Sequence, residues 1–97
     1  MAEVLVAIHY DVRDDVRRLR LARALGDFGE RTLKSHFEAW LEPEEIERLW
    51  RRVLAIVDPQ EDAVCLYELC DRCLGRSRRH GRAPPPEAAR PPDTLIV

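Results

Sequence analysis

The sequence predicts an α+β sandwich, one sheet covered by two helices, and three observations carry that prediction. Residues 3–10, EVLVAIHY, are apolar and β-branched on both parities, the pattern of a buried central strand. Residues 14–28 and 43–57 instead repeat their apolar side chains at helical spacing. A further strand-like run, AVCLYEL, follows at residues 63–69. One sheet with both helices on the same face is the simplest way to bury two helical stripes. The expected order is therefore βαββαβ, a ferredoxin-like sandwich.

Each element has its local reason. Asp14 suits the N-cap of the first helix, and Asp15 lies in the first turn, where the helix dipole favours an anion. Leu21, Ala22, Ala24, Leu25 and Phe28 share one face, with Arg18 at its N-terminal end, and Gly29 is a natural stop. Residues 31–41, RTLKSHFEAWL, alternate as a strand or a tight pair of strands. Leu33, Ser35, Phe37, Ala39 and Leu41 fall on one side; Thr32, Lys34, His36, Glu38 and Trp40 fall on the other, which is expected to face solvent or a partner. Pro43 suits the first helical position of the second helix, and Ile46, Leu49, Trp50, Val53 and Val57 form its stripe. Asp58-Pro59 ends it.

With 97 residues the chain makes one domain, expected over residues 1–82. A domain this small buries only about 60–65% of its unfolded surface, so self-association is favoured. Residues 83–93 are proline-rich and read as a linker, and the apolar TLIV at 94–97 reads as a strand that pairs with a neighbouring sheet edge. The start of the chain has no basic, apolar leader pattern, and no run approaches the ~20 apolar residues of a membrane span. Three cysteines, an odd number, argue against a disulfide framework. A cytoplasmic location is expected, with no membrane contact.

Net charge is −2, yet fifteen of the sixteen cations are arginine, gathered at 13–23 and 72–82. Such arginines suit bidentate phosphate contacts, although a GC-rich genome gives the same bias. Asp11 ends the first strand, where sheets commonly present chemistry, although aspartate is also frequent in turns. One carboxylate is a poor magnesium site; a two-fold axis nearby would supply a second, and the two would repel unless a cation or a proton lay between them. Arg17, Arg18 and Arg20 then face phosphates, or pair with Asp14, Asp15 or Glu30 as an ordinary solvated charge face. Cys70 and Cys73, with Cys65 and His80 as loose companions, fall short of a zinc signature. His9 reads as a packed or hydrogen-bonded side chain rather than a base, and His36 stays open. No Walker loop, GxGxxG or HExxH is present.

Residues 4–41, VLVAIHYDVRDDVRRLRLARALGDFGERTLKSHFEAWL, resemble the amino-terminal half of the CRISPR-associated protein 2 family. The likeness lies in an apolar strand ending in Tyr10-Asp11, the acidic pair Asp14 and Asp15, and arginines Arg18 and Arg20. Gly29, Arg31 and the Ser-x-Phe-Glu of Ser35, Phe37 and Glu38 complete it. The later IVDPQEDAVCLYELCDRC is similar to that family's second-helix exit, with the acids Asp58 and Asp62, a strand and a Cys-x-x-Cys. The resemblance implies a ferredoxin-like homodimer that bridges dimers of the CRISPR integrase, CRISPR-associated protein 1, on duplex DNA for spacer integration. It also implies an endonuclease on RNA or DNA that uses Mg²⁺ or Mn²⁺. Carried over, Asp11 is the catalytic metal ligand, and Tyr10, Arg18, Arg20, Arg31, Ser35 and Phe37 surround it. Two departures stand out: His36 replaces an apolar residue, and the strand expected near 76–81 is the basic RSRRHG.

Overall fold

The computed structural model describes residues 3–89. Within them the chain runs β1 (Val4–Asp11), α1 (Asp15–Gly26), β2 (Glu30–Leu33), β3 (His36–Leu41), α2 (Pro43–Ile56), β4 (Ala63–Leu69) and a short α3 (Asp71–Gly75). A 3₁₀ turn follows at Pro86–Ala89. The sheet order is β2-β3-β1-β4 with every neighbouring pair antiparallel, the ferredoxin-like arrangement expected from the element order. β1 is central, hydrogen-bonded to β3 on one side and to β4 on the other.

The core lies between the sheet and the two helices. Val6, Ile8 and Tyr10 of β1 meet Phe37, Ala39 and Leu41 of β3, Leu21 and Leu25 of α1, and Ile46, Leu49 and Val53 of α2. Asp14 caps α1 through its side chain, which accepts from the Arg17 N–H at 2.9 Å. At the start of α2 the Glu45 carboxylate accepts from the Glu42 backbone N–H at 2.9 Å, which satisfies the amide of the N-cap residue. Gly29 has a different role from the helix stop expected of it. Asp27 is the C-cap of α1, and a Cβ on Gly29 would run into the Glu38 carbonyl oxygen and Ala39. A side chain there would prise β3 away from the turn that leads into β2.

Residues 31–41 form a hairpin, with Lys34 and Ser35 at the turn. A register shift between Arg31 and Leu33 breaks the expected alternation. Leu33 therefore leaves the apolar side on which parity placed it and stands 53% exposed.

The face bearing His36, Glu38 and Trp40 differs from expectation at one end, where the chain itself covers it. Arg79 donates to the Glu38 carboxylate at 3.0 Å and to the Pro84 carbonyl at 2.8 Å, while the Trp40 indole N–H donates to the Pro86 carbonyl at 2.9 Å. This covering segment explains why Glu38 is only 4% exposed. It also occupies residues 76–81, which form no strand. Of the stretch read as a linker, residues 83–89 are described, and Ala89 is buried. The terminal strand expected at 94–97 lies outside the described residues.

Candidate nucleic-acid and metal site

Alternation along β1 decides what each side chain faces. Val6, Ile8 and Tyr10 point to the helices, so Leu5, Ala7, His9 and Asp11 point to the opposite face. The covering segment stops short of His9 and Asp11, and both are exposed. Asp11 pairs with Ala63 of β4 at the end of the sheet. Its carboxylate makes no hydrogen bond or ion pair among the described residues. The exposure of His9 corrects its reading as a packed side chain.

Around the corner from Asp11, between the first turns of α1 and the β2–β3 turn, lies a groove of about 300 Å³. Tyr10, Arg18, Arg31 and Ser35 line it, together with Lys34 and Asp15. Arg18 is held in place: one guanidinium nitrogen donates to the Val12 carbonyl at 2.9 Å, and another pairs with Asp15. The Val12 carbonyl is the strand-end partner that a cation on an apolar stripe requires. Ser35 is tied to the central strand because its carbonyl accepts from the Tyr10 N–H at 3.1 Å.

Two of the expected site residues lie elsewhere. Phe37 is 4% exposed and belongs to the core. Arg20 lines a separate groove between α1 and α2 with Arg23, Asp27 and Arg52. Both displacements follow from geometry: Phe37 shares β3 parity with Ala39 and Leu41, and Arg20 is about 200° around the helix from Arg18.

Asp62 enters the sequence reading only as one of a pair of acids, and the structure makes it an anchor. Its side chain is buried beneath Arg17, whose guanidinium donates to it at 2.8 and 3.2 Å. It also accepts from the backbone N–H groups of Asp58 at 2.9 Å and Arg13 at 3.2 Å. One carboxylate thus ties the loop after β1 to the loop before β4, and so fixes the backbone on both sides of Asp11. Arg17 is committed to this bond rather than to Asp14, Asp15 or a phosphate. The Arg17 hydrogen bond, followed by those of Asp58 and Arg13, holds the Asp62 carboxyl well below the usual carboxylate range. Its contribution to stability is therefore complete above the ordinary aspartate value of about 4 and fades as pH falls further. Asp62→Asn is expected to lower the thermal midpoint at pH 7, with the gap from wild type closing below about pH 4. Melts followed by circular dichroism at several pH values check this; a gap independent of pH would assign the loss to packing alone.

The cysteines do not assemble a metal centre. Cys70 is the N-cap of α3 and its sulfur accepts from the Cys73 N–H at 3.4 Å, which draws the Cys70 thiol below its ordinary value. Among the described residues no three His, Cys, Asp or Glu side chains converge as metal ligands. Asp11 therefore fits a magnesium ion only as part of a set. Its free oxygens are the hard donors that ion takes, and the rest must come from water, phosphate or a second chain.

The comparisons with known proteins agree with this architecture. The family model for CRISPR associated protein Cas2 matches residues 4–77. A CRISPR-associated endoribonuclease Cas2 of Thermus thermophilus is 42% identical over 81 residues, covering 84% of this chain and 86% of the relative. The crystal structure of Streptococcus pyogenes Cas2 at pH 6.5 superposes with a TM-score of 0.69 at 27% identity, covering 79% of this chain and 99% of that one. A chain of a partial Cas6-RT-Cas1–Cas2 complex shares the fold, with a TM-score of 0.70 at 24% identity over 84% of this chain and 94% of its own. With its ferredoxin-like sheet, its strand-end aspartate and a match from Val4 to Ser77, the chain belongs to the CRISPR-associated Cas2 family.

Proposed function

We propose that the chain works as a homodimer in CRISPR adaptation, binding duplex DNA and bridging dimers of the integrase Cas1 for spacer integration. A second capacity of the same site is Mg²⁺- or Mn²⁺-dependent cleavage of RNA or DNA phosphodiesters. The observation that carries the reading is the arginine-lined groove of Tyr10, Arg18, Arg31 and Ser35 at the end of the same strand whose other face exposes the free carboxylate of Asp11. A phosphate backbone in that groove runs past the strand end. Arg18 and Arg31 supply the charge that binds it, and the Ser35 hydroxyl and backbone supply neutral donors.

The dimer is supported by the part of the sheet that the chain leaves open. His9, Asp11 and Cys65 are exposed there, with Tyr67 57% and Leu33 53% exposed. A second copy laid on this face covers those side chains and brings its own Asp11 towards the first. The endonuclease capacity is supported by the name of the Thermus thermophilus relative, an endoribonuclease. Association with Cas1 follows the company of the fold neighbour in the Cas1–Cas2 complex.

Multi-angle light scattering of the chain alone, with Cas1, and with Cas1 plus duplex DNA tests the adaptor role. The expected result is a dimer that joins Cas1 and DNA in one larger particle. A monomer that leaves the mass of Cas1–DNA unchanged would remove the bridging role.

A further inference from the structure

We propose that His9 and His36 form a binding site for a divalent first-row transition ion of the zinc or nickel kind, on the open face of the sheet. The two residues are direct cross-strand partners on β1 and β3. The Tyr10 N–H donates to the Ser35 carbonyl at 3.1 Å, one residue beyond His9 and one before His36. His9 and His36 are therefore a non-hydrogen-bonded pair, the kind in which Cα atoms approach to about 4.5 Å and side chains lie closest. Their ring centroids are 6.4 Å apart with the planes tilted by 47°. Two imidazoles on a tetrahedral zinc, with zinc–nitrogen bonds of about 2.0–2.1 Å, stand somewhat closer than this, so rotation of the exposed His9 side chain closes the pair onto one ion.

Glu38 supplies the second, independent observation. Its buried carboxylate lies 3.2 Å from His36 Nε2 and accepts from Arg79 at 3.0 Å. A carboxylate paired with arginine only accepts, so Nε2 carries the hydrogen and Nδ1 keeps the lone pair. A histidine oriented through its second nitrogen by a buried carboxylate is the usual backing of a metal ligand. His9 makes no hydrogen bond among the described residues. Next to the pair, Cys65 faces His9 from β4, and Asp11 lies two residues along the same face of β1.

Since no three such groups converge within one chain, water or a second copy completes the coordination. Imidazole donors select zinc, nickel, cobalt or copper and disfavour magnesium, which separates this site chemically from the oxygen donors of Asp11.

Titration of the full chain with Zn²⁺ in excess Mg²⁺, followed by calorimetry, tests the proposal without reference to nuclease or bridging activity. Saturable binding is expected at one ion per chain or one per two chains. His9→Ala abolishes it; His9 is exposed, so the variant folds. His36→Ala abolishes it too, and Glu38→Gln weakens it by about tenfold or more. The double variant Cys70→Ser/Cys73→Ser leaves it intact. Co²⁺ loading of the double variant gives an independent readout, with histidine resonances 9 and 36 shifted most in the NMR spectrum. Absence of saturable binding would overturn the site, as would binding that survives His9→Ala and disappears in the cysteine double variant.

Discussion

Asp11→Asn is expected to abolish metal-dependent cleavage while leaving the dimer, its binding to Cas1 and its hold on duplex DNA unchanged. The substitution keeps the shape of an exposed side chain at the end of β1 and removes only its charge. Nothing in the fold depends on that charge, because the loops on either side are anchored by Asp62 through Arg17, Arg13 and Asp58. A bound Mg²⁺ would supply Lewis-acid stabilisation of the charge that develops on the phosphate. On that proposal the chain would contribute a hard anionic ligand at Asp11 and a phosphate site at Arg18 and Arg31. Losing the ligand should lower the cleavage rate by at least about two orders of magnitude, the scale seen when one preorganised charge-stabilising group is removed. The measurement is paired: cleavage of single- and double-stranded RNA and DNA with Mg²⁺ or Mn²⁺, and integration with Cas1, on protein freed of contaminating nucleases. Full cleavage by the variant would end the metal reading of Asp11. Lost cleavage with intact integration would assign the cellular role to bridging.

The fold was largely legible because its strongest signals are local. A two-parity apolar run marks β1, a side-chain cap at Asp14 marks the start of α1, and a proline with an apolar stripe marks α2. The order of these elements leaves few ways to bury two stripes on one sheet. Tertiary features were less visible. The β2–β3 turn at Lys34 and Ser35 contains none of the Gly, Asn, Asp or Pro residues that announce a hairpin. The irregularity at Arg31/Leu33 shifts parity, and a shift of one residue exchanges the faces. The cover over Glu38 comes from a basic stretch without periodicity, so only the contact with Arg79 reveals that it packs.

The site divides in the same way. Tyr10, Asp11, Arg18, Arg31 and Ser35 were singled out by their motif, and the structure gathers four of them in one groove, with Asp11 on the other face of the same strand end. Phe37 belongs to the same motif yet is a core residue, since a linear pattern does not distinguish ligand contacts from the packing beneath them. Asp62 was missed as an anchor because its partners are 45 and 49 residues away in the chain. The only signal was the paired acids Asp58 and Asp62, which resemble an exposed turn. That turn is instead held from within, with the Asp62 carboxylate accepting from the Asp58 N–H.

Affinity for duplex DNA is expected to fall steeply with salt, and the arginines of the two grooves should carry that dependence. A protein that makes six to ten phosphate contacts loses about 10³–10⁵ in affinity between 50 and 200 mM salt. In a dimer, Arg18, Arg31 and Lys34 of both copies already provide six cations at the groove. Each lost contact should lower the log–log slope by about 0.9, so Arg18→Ala/Arg31→Ala should flatten it by roughly four such steps across two copies. Arg20→Ala asks a separate question, because Arg20 lies with Arg23 and Arg52 in the groove between α1 and α2. Arg20 forms no ion pair among the described residues, whereas Arg52 is bound to Asp27 at 2.9 Å. A duplex that continues from the strand end across α1 meets Arg20 next, and the slope should fall again in the triple variant. Fluorescence anisotropy over a salt series measures all three proteins. A slope unchanged in Arg18→Ala/Arg31→Ala would show that Arg18 serves only its internal bonds to Val12 and Asp15. A slope that falls in the double variant and no further in the triple would confine the DNA to the groove beside Asp11.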